Sequence, residues 1–450
     1  MSEQSRVTLG GKLSAVLVAA GSAVGLGNIW RFPYVAGDNG GGAFLIIYIL
    51  CVILLGLPIM LAEFSVGRAT RKNSVGAYRT LDRKWSFLGY NSILSALLIL
   101  GFYFVVSGWT LEYMVHSLTG DLAQYTTAEE YKTFFDEFIQ NPWRPVLYTC
   151  LFALLTHFVI AMGVQKGIER SAQILMPLLF LILIALSIHS LLMPGGMAGL
   201  EFFFLPDFSK VTTTTVLVAL GQAFFSLSIG LGCMVTYASY FKPDTNLRHT
   251  ALNVTILDTA VAILAGVVIF PAVFSVGIEP SAGPSLVFVT LPSIFNGMPW
   301  SMVWSTIFFL LLIVAALTST ISLHEVLTVY LHEEWHKSRN VAAWIATVTT
   351  ATLASVASLS MGVLNGYKIF GLTLFDSLDF VTANILLPAG GMFTCLFVGW
   401  KLDQRLLKAQ ITNNGTLRFR IYGVFIFLLR YICPAVLALI FLDNLGFLRF

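Results

Sequence analysis

Runs of mostly apolar residues, each long enough to cross a lipid bilayer, recur along the whole chain. Nothing else in the sequence constrains its fold as much. A helical crossing needs roughly 20 such residues, and by that measure there are eleven, at about 12–36, 42–68, 88–118, 146–163, 167–190, 213–240, 247–276, 299–332, 340–362, 369–399 and 419–446. Only 11% of the 450 residues are charged, against about a quarter in soluble domains, and 57% are hydrophobic, so the chain reads as an all-α polytopic membrane protein. Its net charge of +3 is too small to suggest nucleic acid as a partner. The basic residues serve topology instead. Arg68, Arg71, Lys72, Arg79, Arg83 and Lys84 follow the second run, and Lys401, Arg405, Lys408, Arg418 and Arg420 follow the tenth. The stretch after the third is acidic, with Asp121, Glu129, Glu130, Asp136 and Glu137. The positive-inside rule then places the N-terminus in the cytoplasm and, with an odd number of crossings, the C-terminus outside. Cys51, Cys150, Cys233, Cys395 and Cys433 stand singly, without metal or redox spacing, and read as small buried hydrophobes.

Two of these runs make poor continuous helices. The first contains AAGSAVGLGNIWRFP, in which Gly21, Gly25 and Gly27 are followed by Asn28 and Arg31. Glycine loses the most freedom in a helix, and the bilayer core offers no water to unpaired backbone groups. The segment therefore reads as a helix that breaks where protein encloses it. Gly21 and Gly25 also have the spacing of a close helix interface, but packing leaves Asn28 and Arg31 unexplained. The sixth run is interrupted in the same way by GQAFFSLSIGLG, from Gly221 to Gly232. An odd interval of five spans sets two five-span units, about 12–190 and 213–399, in opposite orientations, with 419–446 as an additional C-terminal helix. Paired breaks point to a secondary-transporter site at mid-membrane.

The run from Gly25 to Tyr34 (GLGNIWRFPY), the NGGGAF at Asn39–Phe44, the sixth-run motif and the TYASY at Thr236–Tyr240 resemble the neurotransmitter:sodium symporter family. The resemblance covers the whole chain. It implies one transmembrane transporter domain over 1–450: eleven transmembrane helices in a LeuT-type 5+5 inverted repeat with broken helices 1 and 6, plus helix 11. Eleven spans with short tails resemble the bacterial members, so a bacterial inner or plasma membrane is expected.

The resemblance also implies two sodium ions, hard cations that broken helices serve with free carbonyls and hydroxyls. Carried onto the matching positions, sodium site 1 comprises Ala23, Asn28, Ser226 and a seventh-run residue, together with the substrate carboxylate. At that seventh-run position the family's asparagine is replaced by Asp258, and one turn on Ala262 stands where chloride-dependent relatives have serine. A built-in carboxylate supplies the negative charge that chloride supplies elsewhere, so transport is expected to be chloride-independent. Sodium site 2 comprises the carbonyls of Gly21, Val24 and Ala315 with the hydroxyls of Thr318 and Ser319. Gly25 stands where monoamine carriers have aspartate, so the substrate must bring its own carboxylate. That group would meet the first sodium, the N–H groups of Leu26 and Gly27, and Tyr103. The substrate amine would meet Ala23, Phe225, Ser226 and Ser228. Its side chain would be lined by Ser22, Gly25, Ile99, Tyr103, Phe225, Leu231, Ser319 and Leu323. An uncharged lining penalises polar side chains, which indicates hydrophobic L-amino acids, aliphatic and, where Leu231 replaces a phenylalanine, aromatic.

Arg31 with Asp379 resembles the extracellular ion-pair gate, with Tyr103 and Phe225 closing beneath it. Arg6 with Glu333 and Tyr240 resembles the cytoplasmic gate, where Leu9 replaces the family's tryptophan. In the fifth run Gly167 eases unwinding and Pro177 frees the Gln173 carbonyl, so this end is expected to unravel toward the second sodium. A static proline kink is the alternative. Glu63, alone deep in the second run, is expected to hold N–H groups of both broken helices. His324 and Glu325 are read only as polar contacts. No obligate protein partner is expected. A carrier of glycine or of amines fits Gly25 and the apolar lining poorly. A membrane enzyme would need a motif such as G-x-S-x-G or a nucleotide-binding loop, and the chain has neither. The full set of ion ligands argues against a sensor, and the glycine breaks do not resemble a channel's repeated filter.

Overall fold

The computed structural model describes residues 6–276 and 286–447. Among them, nine unbroken helices are long and apolar enough to cross a bilayer. They are Gly42–Thr70, Arg83–Thr119, Arg144–Ala161, Val164–Leu191, Leu247–Ser275, Ser301–Glu334, Arg339–Leu359, Leu374–Lys401 and Tyr422–Asn444. Two further crossings are broken. Lys12–Ala23 and Gly27–Asp38 meet at 54°, and Thr213–Ser226 is separated from Cys233–Ala238. The total is eleven spans, numbered 1 to 11 below.

Local chemistry accounts for the breaks. In span 1, Val24 turns to an extended backbone (ψ 116°) and ends the first half-helix. In span 6, Gly230 and Gly232 take φ of +81° and +74°, the left-handed region that glycine enters without a steric penalty. A Cβ on Gly230 would also lie 2.8 Å from the Leu387 carbonyl. Ser228 enters the same region at φ +52°, and its hydroxyl donates to the Ser22 carbonyl at 2.8 Å. That bond joins the two breaks across the protein core.

Elsewhere the spans bend without breaking. The π-turns Val52–Gly56, Thr382–Leu386 and Leu428–Ile432 each lead into a helix whose second residue is proline: Pro58, Pro388 and Pro434. Proline has no N–H and its ring presses on the carbonyl one turn back, and a widened turn accommodates both. Spans 3 and 8 pack along their lengths and carry Tyr103 and Ser319, two of the residues expected to face the substrate. Outside the membrane, helix Ala128–Gln140 starts with a capping box between Thr127 and Glu130. Donors from Thr126 and Thr127 hold the Glu130 carboxyl below its ordinary range.

Candidate ion and substrate site

Beside the first break lies a fully buried polar node. Asn28 donates through Nδ2 to Ser226 Oγ at 2.8 Å and to Asp258 Oδ1 at 2.7 Å, and its Oδ1 accepts from Gly25 N at 3.0 Å. Ser226 Oγ donates to Asp258 Oδ2 at 2.8 Å. The Tyr48 hydroxyl sits 3.2 Å from Ser226 Oγ and 3.4 Å from Asp258 Oδ2. Asp258 is 0% exposed, and none of the described Lys or Arg residues forms an ion pair with it. A buried carboxylate met only by neutral donors is costly unless a cation joins it. The donor set suits a hard cation: carboxylate, hydroxyl and amide oxygens are present, and no cluster of three or more His, Cys, Asp or Glu occurs among the described residues.

A second group of oxygens lies across the same break. Thr318 Oγ1 is 2.9 Å from the Ala315 carbonyl and 3.2 Å from that of Val24, and Ser319 Oγ is 3.3 Å from Val24 O. Gly21 faces Thr318, since a Cβ there would lie 3.6 Å from the threonine Cβ. A cavity of about 10 Å³, enough for one water, adjoins this group between Gly21, Thr318 and Ala172 of span 5.

Between the two groups the half-helices present backbone donors. Leu26 N donates to the Tyr103 hydroxyl at 2.9 Å, and Gln222 Nε2 donates to Gly27 O at 2.9 Å. A Cβ on Gly25 would fall 2.2 Å from Ser319 Oγ and 2.8 Å from the Tyr103 oxygen, so this arrangement has no room for an aspartate there. Ile99, Leu231 and Leu323 are buried around this point, and the Ser22 hydroxyl is buried without a hydrogen-bond partner. Ala23 is buried at the end of the first half-helix. The expected ion and substrate residues thus converge on one region. Glu63 departs from expectation: Oε1 accepts from Gly230 N at 2.8 Å, but Oε2 has no partner, so it caps the sixth-span break and not the first.

The two ends of the path differ. At the Arg6 end, Arg6 pairs with Glu333, donates to Arg71 O at 2.9 Å and lies 4.6 Å over the Tyr240 ring. Tyr240 donates to Glu325 Oε1 at 2.7 Å, and Arg339 grips Glu325 through both oxygens at 3.0 and 2.6 Å. Leu9 is buried, and its N–H donates to Tyr240 O at 2.9 Å. At the other end no direct ion pair joins Arg31 to Asp379; the guanidinium lies 4.6 Å over the Phe225 ring instead. The start of span 5 is a π-turn, Val164–Glu169, that continues into the helix containing Pro177. Gly167 has a packing reason of its own, because a Cβ there would meet the Val159 carbonyl at 2.0 Å. His324 makes polar contacts with Thr328 at 3.0 Å and Thr347 at 2.8 Å.

Sequence reasoning missed several members. Tyr48 looks like any aromatic in an apolar run, and Gln222 sits unremarked inside the sixth-run motif. Arg68 is buried and surrounded by oxygens: Gln410 Oε1 at 2.7 Å, Asn413 Oδ1 at 3.1 Å, and the Thr245 and Gln410 carbonyls. It ties span 2 to the loop after span 6 and to the helix Gln404–Ile411.

The model of the sodium:neurotransmitter symporter family matches residues 6–140 and 135–448, almost the whole chain. The chain belongs to that family. An uncharacterized sodium-dependent transporter of Bacillus subtilis, YhdH, is 39% identical over the full length of both chains. An uncharacterized sodium-dependent transporter of Haemophilus influenzae is 36% identical over 98% of this chain and 99% of that one. The crystal structure of MhsT in complex with L-phenylalanine, 43% identical, superposes with a TM-score of 0.90 over 98% of this chain and all of MhsT. The likeness to MhsT extends over the whole fold.

Proposed function

We propose that this symporter couples inward sodium flow to the uptake of hydrophobic L-amino acids by alternating access, and does so without chloride. The observation that carries the reading is Asp258: a buried carboxylate that shares hydrogen bonds with Asn28 and Ser226 beside the first break and has no basic partner. In this reading Ala23, Asn28, Ser226 and Asp258 hold one sodium, and Gly21, Val24, Ala315, Thr318 and Ser319 hold a second. The substrate carboxylate meets the first sodium, the N–H groups of Leu26 and Gly27, and the Tyr103 hydroxyl. Its apolar side chain lies among Ile99, Leu231 and Leu323. The phenylalanine bound to MhsT, a relative 43% identical, supports an amino acid with a hydrophobic side chain. The repeats run over 12–190 and 213–399, with the N-terminus and the Arg6 gate cytoplasmic and the Arg31 gate external. Positive loops after spans 2 and 10 support that orientation.

Uptake of radiolabelled leucine and tryptophan into proteoliposomes, with an inward sodium gradient and chloride replaced by gluconate, tests the reading. Accumulation should need sodium and survive chloride removal. Asp258→Asn should raise the sodium concentration for half-maximal uptake by about tenfold or more, corresponding to a loss of about 1.4 kcal/mol or more. Accumulation that collapses in gluconate would overturn the role given to Asp258, and none of either substrate would overturn the transport reading itself.

A further inference from the structure

On the outer wall, spans 2, 7 and 11 leave a groove of about 470 Å³ between them. Its sides are apolar: Leu54 and Leu61 of span 2, Leu252 of span 7, and Val424 and Leu428 of span 11 line it. One end is different. Arg248 and His249, in the first turn of Leu247–Ser275, form the mouth with Phe419. Arg248 Nη1 donates to Arg418 O at 2.7 Å, and its guanidinium lies 5.1 Å over the Phe419 ring. Its Nε is buried with no hydrogen-bond partner, and none of the described carboxylates pairs with it. Nε belongs to the edge of the guanidinium that binds phosphate in a two-point fork, and an unmet buried donor is unfavourable. Arg418 and Arg420, both exposed, flank Phe419 in the chain.

We propose that this groove binds one anionic phospholipid, its phosphodiester on the Nε edge of Arg248 and an acyl chain between spans 2, 7 and 11. Charge complementarity selects the headgroup: the mouth offers Arg248, Arg418 and Arg420 and no carboxylate to receive the amine of a zwitterionic lipid. The groove's depth suits an acyl chain, because it runs from the first turn of span 7 to Leu54, near the middle of Gly42–Thr70. Placing the lipid in the cytoplasmic leaflet rests on the orientation proposed above; the binding itself does not.

The test is native mass spectrometry of the full-length protein in detergent, titrated with dioleoyl phosphatidylglycerol or dioleoyl phosphatidylcholine. The wild type should prefer phosphatidylglycerol. A basic side chain at an anionic lipid surface corresponds to about a fivefold change in affinity, so Arg248→Gln should reduce the preference by about that factor. Arg83→Gln, an exposed position at the start of span 3, should leave it unchanged. Leu252→Trp fills the groove one turn below Arg248 and should abolish retention of both lipids. Equal affinity of the wild type for the two lipids, or an undiminished preference in Arg248→Gln, would overturn the proposal, as would full retention by Leu252→Trp. Because transport is not measured, failure of the lipid site is distinguishable from failure of the symport reading.

Discussion

The two ends of the transport path are closed by different physics. At the Arg6 end, charges and hydrogen bonds from spans 1, 2, 5, 6, 8 and 9 interlock. Glu333 receives Arg6 and the Asn73 N–H, the latter at 2.8 Å, while Glu169 accepts Gly10 N at 3.0 and 3.1 Å. At the Arg31 end a single guanidinium rests on a single ring, beside a cavity of about 150 Å³ bordered by spans 1, 6, 10 and 11. A cation–π contact at a partly exposed site is worth about 0.5–1 kcal/mol, whereas breaking a buried ion pair costs about 3–5 kcal/mol. Opening the Arg6 end therefore has to undo a cooperative network, and opening the Arg31 end has to move one side chain. A substrate-free transporter built this way favours opening at the Arg31 end, which in the orientation proposed above faces external sodium and amino acid.

That difference is broken most directly at Glu325, fully buried between Tyr240 and Arg339. Glu325→Gln leaves the half-buried Arg339 charge without its partner, a change of up to about 3 kcal/mol, about a hundredfold in a two-state equilibrium. With the other cysteines replaced, Cys233, buried in the half-helix Cys233–Ala238, reports the opening. Its maleimide labelling from the Arg6 side should rise by at least tenfold, and an unchanged rate would remove Glu325 from the seal. Arg68→Gln comes next. It loses charge-assisted bonds to Thr245, Gln410 and Asn413, each worth about 1.5–3 kcal/mol, and releases the loop that follows Tyr240. Labelling of Cys233 should rise by about tenfold while access from the Arg31 side stays as in the wild type. Equal increases on both sides would mean a general loss of fold.

What the sequence made legible divides along the same line. Eleven spans could be counted because a bilayer demands about 20 apolar residues each time, and membrane depth penalises every exception. The exceptions therefore stood out: the glycine clusters of spans 1 and 6, and Asp258. At the Arg6 end water penalises nothing, and a gate residue looks like a solvated one. Arg68 and Gln410 stand 342 positions apart, and no local pattern links them. Glu325 and Arg339 are only 14 apart, yet a turn between two spans hides their pairing. The Arg31 end misled for the opposite reason. Arg31 and Asp379 suggest an ion pair on charge alone, whereas no direct pair forms and the guanidinium lies over the ring of Phe225.

Two smaller changes sharpen the contrast. Gly167→Ala puts a methyl group 2.0 Å from the Val159 carbonyl, so span 5 must move from span 4. Overpacking of this kind costs about 1–3 kcal/mol, and the melting temperature in detergent should fall by a few degrees. A variant that melts like the wild type but transports more slowly would favour unwinding over packing as the reason for glycine. Arg31→Gln should have the smallest effect. It removes a contact of about 0.5–1 kcal/mol, so a cysteine at the buried position Ile99 should label from the Arg31 side only about two- to fivefold faster. The neutral side chain still covers the ring. Replacing Phe225 by leucine removes the same contact from its other side, and the double variant should add nothing to either single one. If Arg31→Gln opened the outer side a hundredfold, the guanidinium would be held by Asp379 during the cycle, and the outer seal would then resemble the inner one.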